Sequence, residues 1–314
     1  MTPADTVRVR VLDRDVARLG FGCCPMGQHG WGPTSDGDLV EAVHAALDRG
    51  ITFFDTSDTY GLGHSEYLLG KAIAGRRNDA VIATKFGVRH AGGKTTYDCS
   101  PDWIRSAVNA SLSRLNADVI DVYQMHYWDG RTPLDEIFGA LQELRTAGKV
   151  RAFGVTNFDL RAAGTRLPEH LATFSHAYSL TNRSAEQAIA GACAERGPTF
   201  LSWGSLGHGM LSGKYSADTS FGPDDRRSRP VYSAFHGAGL DRSLQIVDAM
   251  RAMLADLPGR TFAQVAIRWI LDRFPGAVAL VGTKSPAQLA DNAGSLGWRL
   301  SQAQFDALDR ASAG

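Results

Sequence analysis

Four side chains in the first half of the chain have the types that proton chemistry needs, and three of them end an apolar run. Ile51–Phe54 runs into Asp55, with Tyr60 five residues on; Ala80–Lys85 ends in Lys85; Val119–Met125 is followed by His126. A carboxylate at the end of a buried strand is costly unless a cation pairs with it, and Lys85 ends the next such run. A free phenol has a pKa of about 10 and is a poor acid near neutrality. An ammonium beside it favours the phenolate, and a carboxylate holds the ammonium in place. Tyr60 then reads as a proton donor to a developing alkoxide, with His126 as a hydrogen-bond partner of the same oxygen. Electrons have no source among these groups, so a cofactor is required. Each residue also has a plainer reading: Asp55–Lys85 as a structural ion pair, Tyr60 as a turn aromatic, His126 as a satisfied core histidine.

The elements that must bring these groups together follow a regular rhythm. Val7, Val9 and Val11 alternate with Arg8 and Arg10, predicting an N-terminal β-hairpin that leads into a first strand at Arg18–Gly22. Further strands are expected at 51–54, 80–85, 119–125, 151–156, 173–178, 199–203 and 277–281, making eight with the first. Helical patterns lie between them, one opened by Ser35 and Asp38 and another by Ser100 and Pro101. Two stretches read as long loops, Phe86–Cys99 and the polar, arginine-bearing Ser216–Leu240; such loops are usually functional. The α/β alternation predicts a (β/α)8 TIM barrel with long loops on its C-terminal face, as a single domain over residues 1–314. A doubly wound sheet is disfavoured because Gly20–Gly22 runs on into CCPMG and opens no phosphate-binding helix.

Composition narrows the classes. Lys plus Arg equals Asp plus Glu at 33 each, which gives no electrostatic case for nucleic acid or an anionic membrane. No stretch is apolar and long enough to span a bilayer, and MTPADTVRVRVLDRD lacks a signal-like apolar core. Cys23, Cys24, Cys99 and Cys193 match neither a zinc site nor a redox pair, so reduced thiols and a cytoplasmic protein are expected. A Walker loop fails because His208 stands where glycine is needed, a nucleophile elbow fails at Trp203, and there is no HExxH.

The segments FFDTSDTYG, IATKFG, VYQMH, LRTAGKVRAFGVTNF, YSLTNRSAE, WGSLGHGMLSGKY and ALVGTKSPAQLADN, in this order, resemble the aldo-keto reductases. The resemblance implies an NADPH-dependent carbonyl reductase on a (β/α)8 barrel, with no metal. It gives Tyr60 the role of general acid, Lys85 and Asp55 that of its tuning pair, and His126 that of the carbonyl-orienting group. Family members with Glu at that last position reduce steroid double bonds, so His126 points to C=O over C=C.

The same matching implies NADP(H) contacts at Gly22 and Cys23 beside the nicotinamide, and at Thr156, Asn157 and Ser175 on its carboxamide. It implies others at Trp203, Gly204, Ser205, Leu206, Gly209 and Lys214 along the pyrophosphate, and at Gly282, Thr283, Lys284, Ser285, Gln288, Asp291 and Asn292 around the adenosine. The sequence departs from the family twice, with Ser175 where Gln is usual and Ser205 where Pro is usual. Independently, Ser285–Pro286 starts a helix whose N-terminus attracts anions, beside the charge of Lys284. Gln288 also reads as a capping-box partner of Ser285. Arg226 and Arg227 read as a cofactor clamp or as a solvated charge run, and Trp31, Phe86 and Trp128 as cleft walls or core aromatics. The function expected is reversible reduction of an aldehyde or ketone. Two others stay open: an NADPH-binding regulatory subunit, and a reductase of a nucleotide-linked keto-sugar.

Overall fold

The elements follow the expected rhythm closely. In the computed structural model, which describes residues 5–159, 168–194 and 197–313, the hairpin β1 (Thr6–Val9) and β2 (Arg14–Ala17) comes first. Then follow β3 (Leu19–Gly22), α1 (Asp36–Asp48), β4 (Phe53–Asp55), α2 (His64–Ala72) and β5 (Val81–Phe86). After a small hairpin, β6 (Val88–Ala91) and β7 (Lys94–Tyr97), come α3 (Pro101–Leu115), β8 (Ile120–Met125), α4 (Leu134–Thr146), β9 (Val150–Thr156), β10 (Leu171–Ala177) and α5 (Glu186–Ala194). The chain ends with β11 (Thr199–Trp203), α6 (Gly237–Leu254), α7 (Phe262–Arg273), β12 (Val278–Gly282), α8 (Pro286–Ala293) and α9 (Gln302–Ser312). Strands β3, β4, β5, β8, β9, β10, β11 and β12 close in that order into a parallel barrel. This is the expected (β/α)8 architecture.

Alternation along each strand sorts the side chains. On β4 and β5, Phe53, Val81 and Ala83 belong to the inner core, which also takes Val122, Ala152, Leu201 and Val278. Phe54, Ile82 and Phe86 belong to the outer layer between strands and helices. Val9 and Val16 of the hairpin join the inner core, closing the barrel at its N-terminal end and leaving the C-terminal rim open. The same alternation turns Asp55 and Lys85 inward at that rim.

Two expected loops prove more ordered than their sequences suggest. Within Phe86–Cys99, β6 and β7 pair antiparallel from Val88–Tyr97 to Ala91–Lys94. Gly92 and Gly93 both have positive φ, 56° and 73°, which suits a two-residue hairpin turn. Within Ser216–Leu240, Phe235 packs with Met210 and Val247 in a small core of its own, joined by Tyr215, Phe221 and Tyr232. Among the described residues, no helix is long and apolar enough to cross a membrane.

The loop carrying Tyr60 is set by close contact with the loop after β3. A Cβ on Gly27 would lie 2.6 Å from Gly61 N, and one on Gly61 would lie 2.5 Å from Gly27 O. Gly27→Ala forces these backbones apart, so we predict a loss of about 1–3 kcal/mol in urea unfolding. An unchanged midpoint would mean that the two loops have room to separate.

Candidate active site

At the rim, Lys85 Nζ donates to Asp55 Oδ2 at 2.7 Å and to Thr56 O at 2.7 Å. The pair is buried, with 4% and 8% of the two side chains exposed. Such a pair holds only where its remaining lone pairs are met, and Gln124 meets one. Its Nε2 donates to Asp55 Oδ1 at 2.9 Å, while its Oε1 accepts from Thr173 Oγ1 at 3.1 Å. Gln124 is the inward residue two before His126 on β8, so the period-2 pattern that places His126 also places Gln124. Sequence reasoning missed it by stopping at strand ends. Gly154 makes room: a Cβ there would meet Thr173 Oγ1 and, at 2.7 Å, Gln124 Cγ.

Tyr60 and His126 meet edge to face with ring centroids 6.3 Å apart, and Lys85 Nζ lies 5.1 Å from the Tyr60 ring centroid. Neither the Tyr60 hydroxyl nor His126 Nε2 has a hydrogen-bond partner among the described residues. Asp55, Tyr60, Lys85 and His126 all line one cavity of about 760 Å³. One expectation is corrected here. Burial first, and then neighbours that include the Asp55 carboxylate, hold the Tyr60 hydroxyl well above the ordinary phenol range; the ammonium does not reverse this. Tyr60 therefore keeps its proton near neutrality. Burial first, and Lys85 second, hold His126 well below the usual imidazole range, so it is neutral.

The backbone of His126 is fixed by the next strand. Thr156 Oγ1 donates to His126 O at 2.5 Å, and Asn157 Nδ2 donates to the same oxygen at 3.3 Å. Thr156, Asn157, Ser175, Gly22, Trp203, Gly204, Ser205, Leu206, Gly209, Lys214, Arg227, Gly282, Lys284, Gln288, Asp291 and Asn292 line the same cavity. Cys23 does not: it follows the inward Gly22 and packs into the outer core. Thr283 is buried, bonding Val281 O and Asn292 Nδ2, both at 3.3 Å. Ser285 caps α8 by accepting from Gln288 N at 3.3 Å. Gln288 turns its Oε1 to Lys284 N at 3.0 Å, the residue before the N-cap, so only the Ser285 half of the expected capping box forms, and Gln288 also borders the cavity. Ser205, where proline was usual, donates to Leu280 O at 3.0 Å and so ties the end of β11 to β12.

The cations gather on one side. Lys284 is pushed below its ordinary range by burial first, then by the positive charges of Arg227 and Lys214, with Asp225 opposing. Arg227 is no solvated charge: it pairs with Asp225 at 2.5 Å and bonds Tyr215. Arg226 N donates to Gly30 O at 3.0 Å and its guanidinium sits 5.8 Å from the Trp31 ring. Lys284 Nζ donates to Trp31 O.

Of the three expected cleft aromatics only Trp31 lines the cavity, stacked on His208 at 5.7 Å. Phe86 is fully buried against Tyr123, 4.9 Å away, because it alternates with the inward Lys85. Trp128 turns outward, 42% exposed, and bonds Thr132 O at 2.9 Å. The walls are instead Tyr97 and Val88 from the small hairpin, Tyr127 stacked on His126 at 4.8 Å, and Tyr232. Among the described residues no three His, Cys, Asp or Glu side chains are grouped to hold a metal.

Gln124→Leu leaves Asp55 Oδ1 and Thr173 Oγ1 buried without partners. We predict a loss of about 1–3 kcal/mol in urea unfolding, with a smaller loss for Thr173→Val; a neutral Gln124→Leu would mean the pair needs no such support.

Comparison with known proteins gives one consistent result. The family model described as the aldo/keto reductase family matches residues 18–313. Aldo-keto reductase YhdN of Bacillus subtilis is 34% identical over 290 residues, 91% of this chain and 87% of that protein. Aldo-keto reductase yakc [NADP(+)] of Schizosaccharomyces pombe is 33% identical, covering 98% of this chain and 92% of its own. Among solved structures, a glycerol dehydrogenase of Gluconobacter oxydans superposes with a TM-score of 0.89 at 34% identity, covering 99% and 95% of the two chains.

Proposed function

The chain belongs to the aldo/keto reductase family, and from that premise we propose that it catalyses the reversible, NADPH-dependent reduction of an aldehyde or ketone to its alcohol. We read residues 1–314 as one barrel domain, acting in the cytoplasm on a small-molecule carbonyl, with neither nucleic acid nor membrane as partner. The observation that carries this reading is that the Tyr60 hydroxyl and His126 Nε2, without partners among the described residues, belong to side chains lining one cavity above the buried Lys85–Asp55 pair.

The residues present fit a phosphorylated dinucleotide. Gly204 and Gly209 line the cavity with positive φ, 65° and 101°, and without side chains of their own they let the backbone come close to a pyrophosphate. Arg227 and Lys214 both disfavour the charge on Lys284, and an anion beside Lys284 offsets this. This favours a 2′-phosphate, and one relative's name specifies NADP(+). Thr156, Asn157 and Ser175 offer hydroxyl and amide groups to a carboxamide near the catalytic residues. When bound, NADPH supplies the hydride.

The chain's own groups handle the oxygen. Tyr60, kept protonated by burial, gives its proton to the oxygen as negative charge develops there. His126, neutral, donates a hydrogen bond that orients the same oxygen. Lys85 stands behind Tyr60 and stabilises the phenolate left after transfer, and Asp55 keeps Lys85 in place. The aromatic wall of Trp31, Tyr97 and Tyr127 excludes water around the oxygen.

Single-turnover mixing of NADPH-loaded protein with a panel of aldehydes tests the reading. We expect NADPH absorbance to fall, and Tyr60→Phe to slow that fall by roughly 10²–10⁴-fold with little change in NADPH affinity. Tight binding with no turnover of any carbonyl would favour a regulatory, cofactor-sensing role. For the cofactor, Lys284→Ala removes a charge-assisted contact of about 1.5–3 kcal/mol, weakening NADPH about tenfold or more while sparing NADH. Equal losses for both would contradict the 2′-phosphate assignment.

A further inference from the structure

What His126 can do to an oxygen depends on which ring nitrogen carries its proton. A neutral imidazole has one donor and one acceptor, and the partner of one nitrogen decides the role of the other. Here the partner of Nδ1 lies outside the cavity. His126 Nδ1 sits 3.4 Å from Ser57 Oγ, and Ser57 Oγ sits 3.0 Å from Asp58 Oδ1. Ser57 Oγ also accepts from Thr59 N at 3.2 Å and lies 3.0 Å from Thr59 Oγ1. The Thr59 hydroxyl can donate or accept, so it does not set the direction of the chain. Asp58, when ionised, can only accept, and when protonated it gains an O–H to donate, so it does.

Ser57 has one proton to give. With Asp58 ionised, the carboxylate takes it, and Ser57 offers His126 only a lone pair. Nδ1 then carries the imidazole proton, and Nε2 faces the cavity as an acceptor. With Asp58 protonated, its O–H donates to Ser57 Oγ and the Ser57 O–H turns to Nδ1. Nε2–H then faces the cavity as a donor. A carbonyl oxygen needs the donor; an alcohol O–H is met by the acceptor.

We propose that Asp58 is a positioning residue that selects, through Ser57, the tautomer of His126, and so decides whether the site receives a carbonyl or an alcohol. The proposal rests on the reading of His126 as the group that orients the substrate oxygen. Going from one state to the other, Asp58 loses one proton to solvent and one proton moves from Nε2 to Nδ1, leaving His126 neutral and Asp58 with the negative charge.

The surroundings of Asp58 allow it to titrate near neutrality. It is half-buried and faces Glu66 on α2, Arg114 on α3, Lys85 on β5 and Tyr123 on β8. Glu66 is fully buried and already pairs with Arg114 at 2.6 Å, so the arginine is largely spent on that partner. Burial first, and the like charge of Glu66 second, push Asp58 up to about 7, against Ser57, Arg114 and Lys85. The raised value means Asp58 is protonated below about 7 and ionised above it. The carbonyl-receiving tautomer therefore belongs to the acidic side, the alcohol-receiving one to the alkaline side.

The test reads the tautomer itself. In protein labelled with ¹⁵N-histidine, two-bond ¹H–¹⁵N spectra assign the His126 signals by their loss in His126→Gln. Followed from about pH 5 to 9, the wild-type ring should pass from Nε2–H to Nδ1–H without becoming charged. Asp58→Ala should hold Nε2–H throughout, because Ser57 is then free to donate, and Ser57→Ala should also remove the pH dependence. In turnover, the wild-type kcat for reduction should fall about tenfold per pH unit on the alkaline side, and Asp58→Ala should lack that limb. A wild-type tautomer that does not change with pH, or the same change in both variants, overturns the proposal. Absence of NADPH oxidation would count against the function proposed above but leaves the spectroscopic result readable, so the two failures are distinct.

Discussion

The rim of this barrel depends on one buried ion pair. Taking two charges out of water costs several kcal/mol per ion, and their attraction offsets this only when the remaining hydrogen-bond sites are filled. Asp55 and Lys85 satisfy that condition from four directions: each other, the Thr56 carbonyl, Gln124, and through Gln124 the hydroxyl of Thr173. The network runs from β4 across β5 and β8 to β10, and Gly154 on β9 leaves the space it needs. Half of the barrel is thus committed to holding one ammonium beneath Tyr60. A structure that only needed stability would do better with apolar residues there.

Electrostatics divides the cavity into two regions. Near the pair the groups are neutral or compensated: Tyr60 protonated, His126 uncharged, Lys85 matched by Asp55. Towards β12 and the long loop, Lys214, Arg227 and Lys284 concentrate positive charge, with Asp225 as a partial counter-ion. The first region suits an uncharged reacting group and the second an anionic tail. The loop from 216 to 240 joins them, since Arg226 rests on Trp31 while Arg227 reaches the cations.

Much of this was legible in the sequence because it follows from alternation. A run that ends in a charge at a barrel's C-terminal rim points that charge inward, and this placed Asp55, Lys85 and His126. The same rule excludes Phe86, one residue after the inward Lys85, from the cavity and adds Gln124, two residues before His126, so those errors came from reading strand ends without their parity. Trp128 was misplaced because parity lapses once the strand stops, and its neighbour Tyr127 took the wall. The hairpin at 88–97 was hidden by exposure: its residues are mostly polar and only Gly92–Gly93 marks the turn. The pKa of Tyr60 was not legible at all. Burial depends on how the folded loops enclose the ring, and it is the largest influence on the hydroxyl, ahead of its neighbours.

We propose that Tyr60, kept neutral by burial and backed by the Lys85–Asp55 pair, supplies the proton as the carbonyl is reduced. The most direct measurement is the solvent deuterium isotope effect on single-turnover NADPH oxidation, in wild-type protein and in Tyr60→Phe. We expect a normal isotope effect in the wild type that disappears in the slow residual reaction of the variant. An isotope effect of the same size in both would show that the proton comes from another group, and would contradict the proposal.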